Sequence, residues 1–556
     1  MILQVLDIDY FLNNNRPVIR IFGKTENGKA VCCLYDRLVP YFYARPKDGS
    51  FDALTAQLNA LGLRYQIEEK FLPFGYQEFP SAVMKIWVSN PQDVPRFKEI
   101  LEKGNNIYEA DILFKYRFMT DFNVNGLQWI DIDCSKSYTK ASKSPTFQIN
   151  RIAPCEKKEN AKMRYLSVDI ECLLLDPNRA PDAKKDPIII ISFAFEPEFK
   201  GKKTLVLVGK PCIASDMVHS FPDEKAMLET FVKIFDEFDP DIVTGYNINN
   251  FDIPYLLERL QKHNIAQTFG RCDKPVFSKT FAASQEAVIP GRVVVDPYQL
   301  LKRDVNVRFY RYDLNTVAYA MLGEKKGDVA YRDIPSLWSG GEVELKKLID
   351  YGRKDAELSL RILLEKKLLD KFFELSKISG VLLQDCLGGQ SIRIENMLLR
   401  EFRKRNILLP LKPTRQALDK RMNEKLKGAT VLEPKKGLYS NYVLVLDFQS
   451  LYPSIIKKYN ISPDAIVLGG NVDKFHESPT GAKFVHEDIY EGVFPYVINT
   501  LLKERLDTKK KMKTTSGEEK RILDAKQHAL KILANSFYGY CGYVRARLYM
   551  LEIASA

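Results

Sequence analysis

The chain has 556 residues, of which 45% are hydrophobic and 28% are charged, and its formal net charge is +12. At roughly 100–200 residues per domain this length predicts several domains and excludes a single small binding module, while the composition excludes wholesale disorder and a fibrous repeat. The positive charge favours a polyanionic partner, although a basic surface on any soluble protein would give the same balance.

The sequence predicts that the N-terminal region is mixed α/β. Asp7 and Asp9 interrupt the first apolar run before the core of a signal peptide could form, so secretion is not expected. Over the first 130 or so residues, short β-type runs (VIRIFG, AVCCLYD, YFYA and AVMKIWV) alternate with one or two helical stretches. A polar segment at 134–162 then interrupts the hydrophobic periodicity, and we place a domain boundary there.

From Tyr165 the predicted order is typical of a layered α/β, nuclease-like domain. The elements are the strands YLSVDIEC, IIIISFAF and TLVLVG, the helix DEKAMLETFVKIFDEF, the strand DIVTGYN and the helix IPYLLERLQKH. Two helical runs lead out of it, and the β-rich stretch GLYSNYVLVLDF follows at 437–448. Two long helices are predicted at about 493–513 and 518–536, with Ser516 and Glu519 as a capping box for the second.

No stretch of the sequence predicts a membrane span. The longest apolar stretch, Ile188 to Phe195, is far shorter than the roughly 20 residues that a spanning helix needs. The nine cysteines include no Cys-x-x-Cys pair, and only five histidines accompany them. A disulfide framework and a Cys/His zinc site are therefore poorly supported, and a reducing, cytoplasmic environment is expected.

Carboxylates recur at three places in the nuclease-like region. Alternation along YLSVDIEC puts Asp169 and Glu171 on one face of a strand, a pattern that a solvated strand end would also show. Asp252 lies where a strand and loop give way to a helix, and Tyr351 and Asp355 lie four apart on one helical face. Four carboxylates converging with a tyrosine would supply the hard oxygen ligands of a two-metal phosphodiesterase that uses Mg²⁺ or Mn²⁺.

This set resembles the DEDDy-type 3′–5′ proofreading exonuclease of family B DNA polymerases. The motifs stand in the family's order as Asp169-Ile170-Glu171, then Tyr246-Asn247 with Phe251-Asp252, then Tyr351 with Asp355. The resemblance implies that the four carboxylates hold two metal ions, one to activate water and one to stabilise the leaving 3′ oxygen. It further implies that Tyr351 orients the water, that Asn247 and Phe251 contact the single-stranded 3′ end, and that editing is active.

A second constellation begins at LVLDFQSLYPSII, where Asp447 ends a β-type run. A lone Asp after a strand is commonly a helix cap, but the whole string resembles polymerase motif A of family B. The resemblance implies that Asp447 and the backbone carbonyl of Phe448 are metal ligands, and that Leu451 and Tyr452 contact the incoming nucleotide. Tyr452 beneath the sugar would exclude a 2′-hydroxyl group by steric clash.

Two basic helices follow, and residues 501–550 carry twelve Lys and Arg against five Asp and Glu. Side chains three or four positions apart share one stripe of each helix: Arg505 and Lys509 on the first, and Lys531, Asn535 and Tyr538 on the second. Such a charge run is usually a solvated face, but KILANSFYGYCGYVRAR resembles motif B of the archaeal members of family B. The resemblance implies that both stripes bind the incoming dNTP, with Tyr538 and Gly539 at the nascent base pair.

Two further elements concern DNA contact and completeness. LKGATV (426–431) occupies the place of the family's Y-x-G-G/A element, where Gly428 and Ala429 would approach DNA and Leu426 replaces the usual tyrosine. Motif C, with its Asp-Thr-Asp, does not occur in the sequence, and Asp447 alone cannot hold two ions. We therefore expect a split polymerase whose second subunit carries motif C and the thumb, with a sliding clamp reached through that subunit; a sequence cut short is the alternative.

The first 120 residues resemble the template read-ahead module of the archaeal family, which recognises deaminated bases. The resemblance places a uracil pocket at seven positions: Tyr10, Pro40, Tyr41, Pro91, Val94, Phe114 and Arg117. A tight aromatic and proline pocket can accept an unstacked uracil and reject the methyl group of thymine. Leu113 replaces the usual proline before Phe114, and the alternative is an ordinary aromatic core.

Together the motifs predict a multidomain α/β and α+β chain with family B polymerase architecture, comprising an RNase H-like exonuclease domain, a partial palm and helical fingers. The expected domains are a template-reading domain (1–133), a linker back through it (134–163), the exonuclease (164–366), a helical return (367–410), the first part of the palm (411–492), the fingers (493–544) and the start of the second palm part (545–556). The expected function is DNA-templated DNA synthesis with proofreading on primer–template DNA at the nucleoid. The alternatives are an exonuclease-only protein and a non-catalytic DNA-binding replication subunit.

Overall fold

The computed structural model describes residues 1–157, 159–176, 179–281, 284–304, 307–325, 327, 329–424, 431–448 and 450–556, without the side chains of residues 281 and 284. The N-terminal strands are β1 (Ile2–Asn13), β2 (Arg16–Thr25), β3 (Ala30–Tyr35), β4 (Tyr41–Pro46), β5 (Arg64–Lys70), β6 (Ser81–Trp87), β7 (Asn105–Tyr108), β8 (Trp129–Lys136) and β9 (Thr146–Cys155). The helices among them are α1 (Phe51–Ala60), α2 (Val94–Leu101) and α3 (Phe114–Asp121).

These strands form two separate units. A closed barrel has the order β1-β2-β3-β9-β8, and a four-stranded sheet has the order β5-β6-β4-β7. The four predicted β-type runs correspond to β2, β3, β4 and β6, as expected. The segment 134–163, expected to be a linker back through the N-terminal domain, contains β9, which pairs with β3 and β8 in the barrel. Its burial is incomplete, with most residues partly or fully exposed, so the hydrophobic alternation that would reveal it is weak.

The central region is a six-stranded mixed sheet with helices on its faces. Its elements are β10 (Tyr165–Cys172), β11 (Ile188–Phe199), β12 (Lys202–Val208), β13 (Val218–Ser220), α4 (Glu224–Phe238), β14 (Ile242–Thr244), α5 (Asp252–Lys262), β15 (Phe277–Phe281), β16 (Ser284–Val288), β17 (Val293–Val295), α6 (Pro297–Arg303), α7 (Leu314–Leu322), α8 (Ile334–Ser339) and α9 (Glu342–Glu365). The sheet order is β13-β12-β11-β10-β14-β17, and β15 pairs with β16 as a separate hairpin. Strand β10 is therefore central, antiparallel to β11 and parallel to β14.

A buried ion network joins the barrel to this sheet. Lys24 on β2 places its Nζ 2.6 Å from Oδ2 of Asp241, which lies just before β14. Arg271 places Nη2 2.7 Å from the other oxygen of Asp241 and Nε 2.8 Å from Asp239. Burial opposes ionisation of Asp239, but Arg271 and Arg292 outweigh it and lower the pKa of Asp239 to about 2. The network therefore fixes the barrel against the strand that neighbours β10.

The C-terminal region is mainly helical. Its elements are α10 (Asp370–Ser379), α11 (Leu383–Cys386), α12 (Gln390–Lys404), α13 (Arg415–Asn423), α14 (Leu451–Lys458), β18 (Phe475–Glu477), β19 (Lys483–Val485), α15 (Val493–Met512), α16 (Gly517–Cys541) and α17 (Leu551–Ser555). The two long predicted helices are confirmed as α15 and α16, and Ser516 is the N-cap of α16, although its side chain makes no capping hydrogen bond. Among the described helices, none combines the length and apolarity that a bilayer crossing requires.

The strand predicted at 437–448 does not form in the described part of the chain. Its apolar side chains, including Leu438, Tyr442 and Leu444, are exposed. A β-strand needs a neighbouring strand to accept and donate its ladder hydrogen bonds, and no described strand pairs with this segment. The β-type sequence of the segment is therefore insufficient to form a strand by itself.

Candidate active sites

Strand β10 and helix α9 bring three carboxylates together. Asp169, Glu171 and Asp355 each offer an oxygen, and these oxygens lie within 4.8 Å of one another. The alternation predicted for β10 is confirmed, because Leu166, Val168, Ile170 and Cys172 point into the apolar core. Tyr351 lies one helical turn before Asp355 on α9 and is half-buried. An all-oxygen set of this kind suits Mg²⁺ or Mn²⁺ rather than a softer metal.

Close packing of α9 against the sheet produces this convergence. Gly352 lies between Tyr351 and Asp355, and a Cβ atom at Gly352 would stand 2.9 Å from Oγ of Ser192 and 3.6 Å from Cγ of Glu171. Ser192 is paired with Asp169 across β10 and β11 and is fully buried. Only a residue without a side chain allows the helix to approach the two acidic positions of β10 this closely.

The fourth predicted carboxylate, Asp252, lies beside this group at the start of α5. Its Oδ1 accepts a hydrogen bond of 3.2 Å from the backbone N–H of Ile170, the residue between Asp169 and Glu171. Burial raises the pKa of Asp252 to about 7, and the charges of Asp296 and Asp355 act in the same direction. Burial thus favours the protonated form of this carboxyl group, and a nearby cation would stabilise its ionised form.

Asp296 is a buried carboxylate that the sequence analysis missed. It caps α6 and accepts hydrogen bonds from the backbone N–H groups of Asn247 at 3.0 Å and Asn249 at 3.3 Å. Asn247 has a positive φ of 67°, a conformation that these bonds help to hold. Burial raises the pKa of Asp296 to about 6. Because Asp296 directly follows β17 (Val293–Val295), the sequence could have predicted that it caps a helix. Its contact with the loop of Asn247 has no signal in the sequence.

The predicted nucleotide-binding residues lie on α14, α15 and α16. The rings of Tyr452 and Tyr538 stack with centroids 4.0 Å apart and planes at 13°. Lys509, Lys531 and Asn535 are exposed, and Gly539 follows Tyr538 near the end of α16. Helices α15 and α16 pack together, with Lys526 Nζ 2.7 Å from Oε1 of Glu504. The chain thus presents two tyrosines at one end of a basic helical hairpin, on which Arg505 is half-buried.

The other predicted polymerase residues are either exposed or lie outside the described residues. Asp447, Phe448 and Leu451 are exposed, on either side of residue 449, which lies outside the described residues. Leu426, Gly428 and Ala429 also lie outside the described residues. The predicted contacts of these residues stay predictions.

The seven predicted uracil-pocket residues are mostly buried. The ring of Tyr41 has the guanidinium carbon of Arg117 at 4.3 Å and Nζ of Lys85 at 4.4 Å. Arg117 also binds Glu109, with Nη1 2.5 Å from Oε2. Tyr10 and Phe114 form an edge-to-face ring pair, and Val94 belongs to an apolar core. The two prolines, Pro40 and Pro91, are buried and partly buried. An ordinary packed core accounts for much of this arrangement, and the pocket stays a prediction.

Two family models match the chain. The model of the exonuclease domain of DNA polymerase family B matches residues 105–317, and that of DNA polymerase family B matches residues 382–556. The chain belongs to DNA polymerase family B. Asp169, Glu171 and Asp252 fall within the first match, and Tyr452 and Tyr538 fall within the second.

Individual family B proteins resemble the whole chain. The DNA polymerase delta catalytic subunit of Mesocricetus auratus is 31% identical over 100% of this chain and 57% of its own length. A DNA polymerase of Thermococcus gorgonarius is 33% identical over 100% of this chain and 66% of its own length. The solved structure of the family B DNA polymerase from Pyrobaculum calidifontis is similar with a TM-score of 0.83 at 28% identity, covering 100% of this chain and 70% of that one. The chain thus spans less than two thirds of the length of these curated relatives.

The role of Gly352 can be tested in this family B chain. Replacing Gly352 by alanine is expected to reduce any nuclease activity of the site by roughly 10- to 100-fold, because α9 must move away from Ser192 and carry Tyr351 and Asp355 with it. The measurement is the initial rate of release of nucleotides from single-stranded DNA. Adding Ser192→Ala removes the clashing oxygen and should restore most of the rate. If the double variant is as slow as Gly352→Ala, the steric explanation is wrong.

Asp252 predicts a pH dependence of stability. Its pKa is raised above the ordinary 3.8 in the folded chain, so its contribution to stability is fully present below about pH 4 and is lost as the pH rises through about 7. Without divalent ions, Asp252→Asn should therefore be more stable than the natural chain at about pH 8, by on the order of 1–4 kcal/mol, and little different below about pH 4. Urea denaturation in EDTA across this range measures it. A constant difference between the two proteins at all pH values would contradict the prediction.

Proposed function

We propose that the chain is an enzyme with a 3′–5′ proofreading exonuclease site and with the motif A and fingers elements of a template-directed DNA polymerase. The observation that carries the exonuclease half is the group formed by Asp169, Glu171 and Asp355, with Tyr351 one turn away. Membership of family B supports both halves. In this proposal the site takes the 3′ end of a single DNA strand as substrate.

The acidic side chains have distinct tasks in this proposal. Asp169, Glu171 and Asp355, with Asp252 beside them, would hold Mg²⁺ or Mn²⁺. Bound divalent ions supply a water of lowered pKa and a positive charge for the leaving oxygen. Tyr351 would orient the attacking water by its hydroxyl group. Asp296 would keep the loop of Asn247 in place against the 3′-terminal nucleotide through its two backbone hydrogen bonds.

A direct assay tests the exonuclease proposal. Single-stranded DNA labelled at its 5′ end is incubated with the chain and Mg²⁺, and the products are separated by length. A ladder that shortens from the 3′ end, and that EDTA abolishes, is the expected result. Products that shorten from the 5′ end, or no products at any divalent ion concentration, would refute it.

The polymerase half rests on a different observation, the stack of Tyr452 on Tyr538 beside the exposed stripe of Lys531 and Asn535. The base and sugar of a nucleotide could lie against the tyrosines while its triphosphate meets the cations. The expected second subunit with motif C and the thumb stays a prediction. Primer extension by the chain alone, and by the chain mixed with C-terminal polymerase fragments, tests it, since extension by the chain alone would refute the need for a partner.

Recognition of template uracil is a further proposal on the N-terminal region. Replacing Val94 by glutamine is expected to remove a preference of roughly tenfold or more for DNA that contains uracil in place of thymine, because the larger side chain would fill the pocket. Fluorescence anisotropy with two oligonucleotides that differ at one base measures this preference. Ile67→Gln, at an exposed position of β5, should leave it unchanged. Equal binding of the two oligonucleotides by the natural chain would eliminate the pocket.

A further inference from the structure

A group of histidines and carboxylates lies on the hairpin of β18 and β19, apart from both candidate active sites. His476 is the middle residue of β18, and His486 and Glu487 directly follow β19. One ligand atom from each of these three residues lies within 4.8 Å of the others. His476 Nε2 is 2.6 Å, and His486 Nδ1 is 3.5 Å, from the same oxygen of Glu487.

The two imidazole rings lie against each other and are largely shielded from solvent. The rings of His476 and His486 stack with centroids 4.6 Å apart and planes at 24°, and their side chains are only 17% and 20% exposed. Imidazole nitrogen is a common ligand of transition metal ions. Asp488 lies beside them, with Oδ2 3.3 Å from Nδ1 of His486, but the same oxygen is already paired with Nζ of Lys474.

The spacing of these atoms fits a small tetrahedral ion. Bonds of about 2.0–2.1 Å from Zn²⁺ to imidazole nitrogen and carboxylate oxygen place neighbouring ligand atoms about 3.4 Å apart. The two distances to Glu487, 2.6 and 3.5 Å, lie on either side of this value, and the two ring nitrogens lie within 4.8 Å of each other. By contrast, the group of Asp169, Glu171 and Asp355 offers oxygen alone, which suits a harder ion.

We propose that His476, His486 and Glu487 form a binding site for a divalent transition metal ion of the Zn²⁺ class, with water as the fourth ligand. The site is structural and separate from the catalytic ions of the proposed exonuclease. None of its residues belongs to the predicted exonuclease, polymerase or uracil sites, so the proposal does not depend on the proposed function.

The position of the site suggests what an ion would do. The carbonyl oxygen of His486 accepts hydrogen bonds from the backbone N–H groups of Ile489 at 3.0 Å and Tyr490 at 3.2 Å. Tyr490 donates its hydroxyl to Asp464 at 2.5 Å, and Asp464 accepts from the N–H of Val493, the first residue of α15. An ion held by His476 and His486 would therefore connect the hairpin, through these hydrogen bonds, to the start of α15.

Binding of Co²⁺ tests the proposal, because a tetrahedral site with nitrogen ligands gives this ion an intense visible absorption, whereas an all-oxygen octahedral site gives a weak one. The full chain is treated with a chelator, freed of it and titrated with Co²⁺ and then with Zn²⁺. We expect one equivalent to produce the intense absorption and Zn²⁺ to abolish it. His476→Asn and His486→Asn should each lose the absorption, and the control His528→Asn, at an exposed position of α16, should retain it.

Thermal unfolding separates loss of the site from loss of the fold. Without metal, the two variants at the site should melt within a few degrees of the natural chain, and Zn²⁺ should raise the melting temperature of the natural chain and of His528→Asn only. A natural chain that gives no intense absorption overturns the proposal. Retention of the absorption in both His476→Asn and His486→Asn overturns it as well.

Discussion

Replacing Asp355 by alanine is expected to reduce the proposed exonuclease activity by about 10³-fold or more. Asp355 supplies one of three oxygens that lie within 4.8 Å of one another, and its removal leaves the two acidic residues of β10 without their partner from α9. Charge stabilisation by bound divalent ions contributes several kcal/mol to such reactions, and a loss of about 4 kcal/mol corresponds to about 10³-fold in rate. The fold should persist, because the substitution removes a buried acidic group and opens no apolar cavity.

The measurement is the initial rate of 3′ shortening of single-stranded DNA in Mg²⁺. Glu357→Gln is the matched control, since Glu357 also lies on α9 but pairs with Lys354 at 3.6 Å and Arg361 at 3.7 Å, away from the carboxylate group. Its rate should stay within about twofold of the natural chain, because surface ion pairs contribute little. If Asp355→Ala retained more than a tenth of the rate, Asp355 would not be part of the active site.

Replacing Asp241 by alanine is expected to destabilise the chain by about 3–5 kcal/mol. Asp241 is fully buried and receives Lys24 from the barrel and Arg271 from the central region, at 2.6 and 2.7 Å. Its removal leaves the two cations buried without their shared anion. The cost falls on the junction between the barrel and β14, so the two regions should also separate more readily.

Thermal and urea unfolding measure this effect, and proteolysis between the barrel and the central sheet locates it. Asp236→Ala is the matched control, because Lys143 and Asp236 also join these two regions at 2.7 Å but are 32% and 44% exposed. That variant should lose no more than about 1 kcal/mol. Equal destabilisation by the two substitutions would show that burial of the Asp241 network is not the cause.

Local pattern was sufficient where one element carries the information. The alternation of β10 and the positions of α4, α5, α9, α15 and α16 follow from periodicities of two and 3.6 residues, and the structure confirms them. The β-type run at 437–448 shows the limit of this reasoning, since its strand requires a partner strand that no periodicity reveals.

Contacts between distant segments accounted for what the sequence analysis missed. Asp296 meets Asn247 across 49 positions of the chain, and Gly352 matters only because α9 packs onto Ser192. In the sequence, His476 and His486 are two of five scattered histidines. Their proximity results from the pairing of β18 with β19, which places the rings 4.6 Å apart.

By itself, the sequence determined the family, the order of elements and the acidic residues that face one way on β10, because each of these depends on residue types at short spacing. Only the tertiary structure decided that Asp169, Glu171 and Asp355 converge while Asp252 stands beside them, that β9 closes the barrel, and that two histidines share one carboxylate. The physical reason is that convergence depends on how closely helices and strands pack, and packing is set by side chains that are far apart in the chain.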